Sequence, residues 1–222
     1  MRAMILAAGR GERMGVLTAK TPKPLLKVGQ HYLIEYALSN LKRAGVIEIV
    51  INIAYHATLI KNALGDGRRY GLTIHYSEEE NRLETGGGIF KALPLLGDEP
   101  FLVMSSDIIT HYPLEKLPRQ LTGLAHLVMI ANPSYHPNGD FGLRDGIIDQ
   151  SAKPMFTFAN IGVYHPDLFS NCKPGYFPLK DVLLPAISDG RVTGEMYAGS
   201  WYNVGTPADL QVVSTTVMPA CF

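Results

Sequence analysis

A chain of 222 residues, 46% hydrophobic and 18% charged, with 22 Gly and 15 Pro, can bury one substantial core between many turns. Its 20 Lys and Arg balance 20 Asp and Glu. That excludes a broad nucleic-acid-binding face, which needs a basic excess, and leaves room for a small local anion site.

Two cysteines, Cys172 and Cys221, exclude a disulfide framework and point to a reduced, cytoplasmic setting. No apolar run approaches the roughly 20 residues of a membrane helix. The apolar residues 4–8 break at Gly9-Arg10-Gly11, too early for the about 7–15-residue core of a signal peptide. They read as a buried first strand.

Strand-like runs then alternate with helix-like segments. Residues 31–44 set Leu33, Ile34, Ala37, Leu38 and Leu41 at helical spacing, and Gly45 ends them. Glu48–Ile53 is a β-branched run suited to a parallel strand covered on both faces. Residues 56–64 read as a helix stopped at Gly65-Asp66-Gly67, and 72–76 as a strand. Residues 89–96 read as a helix entered from Gly86-Gly87-Gly88. Residues 101–104 form a short strand that stops at Ser105-Ser106-Asp107. This order implies a doubly wound, mainly parallel, Rossmann-like α/β sheet.

Further on, residues 125–131, 141–149 and 156–164 read as strands, Asn138-Gly139-Asp140 as a turn, and 180–188 and 207–215 as helices. No repeat or linker divides the chain. A single domain is expected, its second half extending the sheet and covering one end as a small lid.

A glycine-rich turn directly after a buried strand lets backbone N–H groups face an anion. In an open α/β sheet, ligands bind beyond the carboxyl ends of the strands. Gly9, Gly11, Arg13 and Lys23 therefore gather where a phosphate chain can lie; Arg forks two oxygens and Lys supplies a point charge. The segment lacks the third glycine of a dinucleotide fingerprint, and Thr21-Pro22-Lys23-Pro24 follows where a helix is needed. It has no Gly-Lys-Ser/Thr of a P-loop. On the glycines alone, a plain loop with surface cations is an equal alternative.

Leu6-Ala7-Ala8-Gly9-Arg10-Gly11-Glu12-Arg13-Met14, followed by Thr21-Pro22-Lys23-Pro24-Leu25, resembles the sugar-nucleotide pyrophosphorylases, a nucleotidyltransferase family of GT-A-like fold. The likeness runs to about residue 213. Residues 83–93, with Ile34-Glu35-Tyr36, Glu48-Ile49-Val50-Ile51-Asn52 and Gly123-Leu124-Ala125-His126-Leu127, are similar to the short branch that joins UTP to N-acetylmuramate 1-phosphate in cell-wall (peptidoglycan) recycling. The mannose-1-phosphate guanylyltransferases lie close by. The chain is not expected to carry the C-terminal left-handed β-helix of larger relatives.

The resemblance implies formation of an NDP-sugar and pyrophosphate from a nucleoside triphosphate, preferably UTP, and a sugar 1-phosphate, with Mg²⁺ as cofactor. It implies a cytoplasmic monomer or homodimer with no nucleic-acid or membrane partner. Residues 1 to about 110 become the nucleotide-binding half and about 111 to 222 the sugar-binding half.

Residue by residue, the resemblance makes Arg13 and Lys23 catalytic. It assigns the nucleotide to Leu6, Ala8, Gly9, Gly11, Glu79, Thr85 and Gly86. Which acid of Glu78-Glu79-Glu80 serves the base stays open, and Thr85 reads equally as a helix cap. The sugar falls to Asp140, Lys153, Asn160 and Gly162, although Lys153 also suits a solvated turn. Ala152 stands where the family has Glu.

The metal falls to Asp107 and Asn203. By position alone, Asp107 could instead cap a helix. Asn203 replaces the family's second metal carboxylate within Trp201-Tyr202-Asn203-Val204-Gly205-Thr206, removing one negative charge from the ion's shell. That substitution supports a rival reading, a non-catalytic nucleotide-sugar-binding protein. The other rival, a guanylyltransferase using mannose 1-phosphate, differs only in base and sugar.

Overall fold

In the computed structural model, which describes residues 1–216, the strands are β1 (Ala3–Leu6), β2 (Lys27–Val28), β3 (His31–Tyr32), β4 (Glu48–Ile53), β5 (Thr73–Glu78), β6 (Phe101–Ser105), β7 (Ile108–Thr110), β8 (Ala125–Ile130), β9 (Phe141–Arg144), β10 (Ile147–Asp149), β11 (Met155–Tyr164), β12 (Val192–Tyr197) and β13 (Trp201–Asn203). The helices are α1 (Leu33–Arg43), α2 (Ala57–Leu64), α3 (Glu84–Leu96), α4 (Leu179–Ser188) and α5 (Pro207–Thr216). Cys221 lies outside the described residues. No described helix is long and apolar enough to cross a membrane.

Contacts divide the chain into two units that are not sequential halves. The first holds Arg2–Arg82, Met104–Lys116 and the chain from Ser200 onward; the second holds Leu83–Val103 and Leu117–Gly199.

In the first unit, β5, β4 and β1 run parallel in that order, with Ala3 opposite Ile49 and Ile49 opposite Ile74. Ala3, Met4, Ile5, Ile49, Ile51 and Ile53 are fully buried, as a run without polar alternation predicts for a strand covered on both faces. Helix α1 turns Leu33, Ile34, Ala37 and Leu41 inward. The Glu35 carboxylate accepts from the Tyr32 N–H at 2.7 Å, closing a capping box. Leu33 and Tyr36 pack with Val28, Ile109, Val204 and Val213. This core ties the small β2–β3 hairpin and the two-stranded pair of β7 with β13 to α1.

The second unit is largely antiparallel. Its order is β11-β8-β12-β10-β9, with β11 also pairing β9, and only β8 and β12 run parallel. The fold is α/β, as expected, but these strands make the pairing mixed rather than mainly parallel. Residues 141–149 are two strands, not one. Asp145 (φ 51°) and Gly146 (φ 78°) turn the chain back on itself, the Asp-Gly hairpin signal.

The glycine triplet also departs from the expected entry loop. Gly86, Gly87 and Gly88 lie inside α3 and are not its entry loop; the N-cap is Leu83, with no side-chain cap, so Thr85 does not cap it. Glycine is required there by close approach. A Cβ on Gly87 would stand 2.2 Å from the Gly175 carbonyl, and one on Gly86 2.6 Å from the Phe177 ring. The segment 175–177 lies along the first turn, where Gly87 N–H donates to the Phe177 carbonyl and Phe177 N–H to the Leu83 carbonyl.

Candidate active site

The first unit assembles one part of the site. β1 ends at Leu6, slightly earlier than the sequence predicts. The Leu6 carbonyl accepts from Ser106 N–H at 3.0 Å, which places the turn between β6 and β7 beside the end of β1. Asp107 sits in that turn. It caps no helix, because the chain turns directly into β7.

Gly11 adopts φ +66°, and a Cβ on it would meet the Lys23 side chain at 3.0 Å and Thr18 at 3.1 Å. Thr18 Oγ1 donates to the Gly11 carbonyl at 3.1 Å. The glycine turn and the Thr21-Pro22-Lys23-Pro24 segment therefore pack as one piece, and Lys23 opens a short 3-10 turn behind Pro22. Lys23 Nζ reaches Asp107 Oδ2 at 2.5 Å, with 11% and 24% of the two side chains exposed. Such a charge-assisted pair is strong only because it is largely sheltered.

Arg13 is exposed, and its guanidinium lies over Gly205, where a Cβ would approach it to 3.1 Å. Gly205 follows β13, which pairs Asn203 with Ile108, while Val204 N–H donates to the Asp107 carbonyl at 2.9 Å. Asp209 holds this corner: its Oδ2 accepts from the N–H groups of Thr206 (2.8 Å) and Gly205 (3.1 Å). Thr206 caps α5 in return through Asp209 N–H. Arg13, Lys23, Asp107 and Asn203 are thus brought onto one framework from four separate stretches of sequence.

Asn203 Oδ1 is buried and has no hydrogen-bond partner among the described residues. A buried acceptor left unpaired is costly. On the strand paired with the residue after Asp107, such an oxygen suits a hard divalent cation, which favours oxygen ligands. The described residues hold no cluster of three or more His, Cys, Asp or Glu fit for a metal. The donor set is therefore one carboxylate, already neutralised by a lysine, and one amide oxygen.

Glu79 is buried and accepts from the Asn52 amide at 2.7 Å, while Asn52 Oδ1 accepts from Ala7 N–H at 2.8 Å. The strand segment that shares in the family likeness ends on Asn52 without giving it a role, and no motif singles out Asp209. Each nevertheless carries a signal: a lone amide in an otherwise apolar buried strand, and a Thr-Pro-Ala-Asp start to a helix.

The second unit holds the residues expected at the sugar. Asp140 accepts from Phe158 N–H at 2.8 Å, and its other oxygen lies 3.1 Å from His136 Nε2. It thereby braces β11 just before a break in register between Phe158 and Gly162, where Asn160 takes φ +56°. Such backbone in a non-glycine residue is a strained feature. Lys153 is exposed. Gly162 is buried, and a Cβ on it would press within 2.9 Å of both the His126 carbonyl and the Tyr164 hydroxyl. Thr85 and Gly86 lie in the first turn of α3.

A glycine turn after a parallel strand, a lysine beside it on a carboxylate and an arginine over a second glycine turn form a framework for handling phosphate groups. The chain belongs to the nucleotidyl transferase family, whose match covers residues 2–218. It is 44% identical over 226 residues to the N-acetylmuramate alpha-1-phosphate uridylyltransferase of Neisseria meningitidis serogroup B, covering 95% of this chain and 96% of that one. A mannose-1-phosphate guanyltransferase of Aspergillus fumigatus is more distant, at 30% identity, with 94% of this chain aligned to 62% of the relative. The inositol-1-phosphate CTP transferase of T. maritima shares the fold, with a TM-score of 0.80 at 18% identity, over 97% of this chain and 95% of that one.

Proposed function

We propose that this nucleotidyltransferase joins UTP to N-acetylmuramate 1-phosphate, giving the UDP-sugar and pyrophosphate. The observation that carries the reading is the packing of Lys23 against Gly11 with Nζ on Asp107, in a chain alike over nearly its whole length to a muramate uridylyltransferase.

A phosphate oxygen of the sugar 1-phosphate attacks the α-phosphorus in line. The bond from that phosphorus to the bridging oxygen breaks, and pyrophosphate leaves with the electron pair. The nucleophile is already an anion near neutral pH, so the protein's task is to align groups and neutralise charge. Gly9 and Gly11 offer backbone N–H groups to the triphosphate, with Leu6 and Ala8 beside the nucleoside. Arg13 and Lys23 steady the phosphate oxygens. Thr85 and Gly86 line the base; Asp140, Asn160 and Gly162 serve the sugar, and Lys153 its phosphate. Asp107 and Asn203 would hold a Mg²⁺ ion, whose contribution is to screen the triphosphate charge. The site works in the cytoplasm.

The test is pyrophosphate release with Mg²⁺ across a panel of nucleoside triphosphates and sugar 1-phosphates. UTP with N-acetylmuramate 1-phosphate should be fastest. A preference for GTP with mannose 1-phosphate would replace this reading with the guanylyltransferase one, and no release from any pair would sink transfer altogether.

A further inference from the structure

At the end of β1 the parallel ladder with β4 closes on the pair Leu6–Asn52. Ala7, 5% exposed, comes next, and its N–H lies past the last rung of that ladder. Asn52 Oδ1 accepts from it at 2.8 Å, and Asn52 Nδ2 donates to Glu79 Oε1 at 2.7 Å. Glu79 N–H in turn donates to the Ile53 carbonyl at 2.8 Å, fixing the acid at the end of β5. Asn52 and Glu79 are 4% and 8% exposed.

Valine or isoleucine would suit β4 better, as its other inward positions show. Burying an amide and a carboxylate costs free energy unless each finds partners. Here the amide accepts from one backbone N–H, two residues before Gly9, and the carboxylate accepts from that amide. That N–H sets the direction in which the chain leaves β1 to form the glycine turn.

We propose that Asn52 is a positioning residue for the nucleotide loop, and that Glu79 acts on the nucleotide through the Asn52 amide. This rests on the nucleotidyl-transfer reading and gives Glu79 a route that base contact does not require. The relay has a fixed polarity: the carboxylate accepts, the amide donates and accepts, and the loop N–H donates.

Asn52→Asp breaks that polarity by setting two carboxyl groups face to face, which cannot both ionise at such a separation. Combining Asn52→Asp with Glu79→Gln restores it: the new amide at position 79 donates, and the net charge equals that of wild type. The full chain is assayed for turnover, for UTP binding by calorimetry and for melting temperature. Asn52→Asp should raise the KM for UTP by about tenfold or more, a loss of about 1.4 kcal/mol, while the KM for the sugar 1-phosphate stays within about twofold. The double variant should recover most of the UTP affinity lost by the single one.

An unchanged UTP KM in Asn52→Asp overturns the proposal. So do two KM values that rise together with a falling melting temperature, which mark a packing role. So does a double variant that regains its melting temperature and not its UTP affinity, which would put Glu79 on the nucleotide directly. Wild-type protein that neither binds nor turns over any triphosphate overturns the transfer reading itself, whereas active wild type with an unaffected Asn52→Asp overturns this inference alone.

Discussion

Lys23 Nζ lies 2.5 Å from Asp107 Oδ2 although 84 positions separate the two residues. One side of the pair comes from the segment packed on the glycine turn, the other from the turn between β6 and β7. Without a ligand the lysine neutralises the carboxylate.

Lys23→Met should therefore have two opposite effects. Turnover should fall by about 10²–10³, the usual cost of removing one preorganised charge from a reacting anion. Mn²⁺ binding in the absence of nucleotide should strengthen, because Asp107 loses its competing cation. Paramagnetic titration of Mn²⁺ checks the second effect, and weaker binding would refute the competition.

Asn203→Asp places a second carboxylate where an amide oxygen is now buried and unpaired, one residue from the Val204 N–H that binds the Asp107 backbone. With a chelator present, the added charge should lower stability by about 1–3 kcal/mol. Mg²⁺ should restore it, and turnover at low Mg²⁺ should rise. Melting curves with and without the ion decide this; the same loss in both would rule out a cation shared by the two positions.

Two glycines should separate activity from stability. Gly205→Ala sets a Cβ about 3.1 Å from the far end of the Arg13 side chain, so the arginine can shift and the fold should hold. Nucleotide affinity should drop with little change in melting temperature. Gly87→Ala drives a Cβ to 2.2 Å from the Gly175 carbonyl, where backbone must move, and should cost about 1–3 kcal/mol or more. Chemical denaturation alongside nucleotide titration compares them; equal stability losses would contradict the contrast.

His126 supplies a pH prediction. Burial holds its pKa below the ordinary histidine value, against a smaller opposing pull from Glu195. The folded state then binds fewer protons than the unfolded state just below about pH 6.5, so stability is present above that value and is lost as pH falls through it. The melting temperature of wild type should drop more between about pH 7.5 and about pH 5.5 than that of His126→Gln. Parallel drops would remove His126 as the cause.

Much of this protein is legible in its sequence. β-branched runs without alternation mark Glu48–Ile53 as a strand covered on both faces, and helical spacing marks α1. Local chemistry writes those elements, so local reading finds them. The pairing of Phe141–Arg144 with Ile147–Asp149 is also written locally, in Asp145-Gly146, although the apolar pattern alone joins the two strands into one.

The glycine turn, Lys23 and Arg13 can be picked out by type and spacing, but not what each of them touches. That Lys23 meets Asp107, that Arg13 lies on Gly205 and that Asn52 joins Ala7 to Glu79 depend on contacts between residues far apart in the chain. The separation is 27 positions for Asn52 and Glu79, 45 for Ala7 and Asn52, and 84 for Lys23 and Asp107. No periodicity records such a distance. The closing of β4 against β1 and β5, of β7 against β13, and of Ser106 on Leu6 brings those side chains within reach. The sequence by itself determined the kinds of element and the chemistry on offer; the tertiary structure decided which charges neutralise one another, because attraction at a few ångströms depends on a separation that only folding sets.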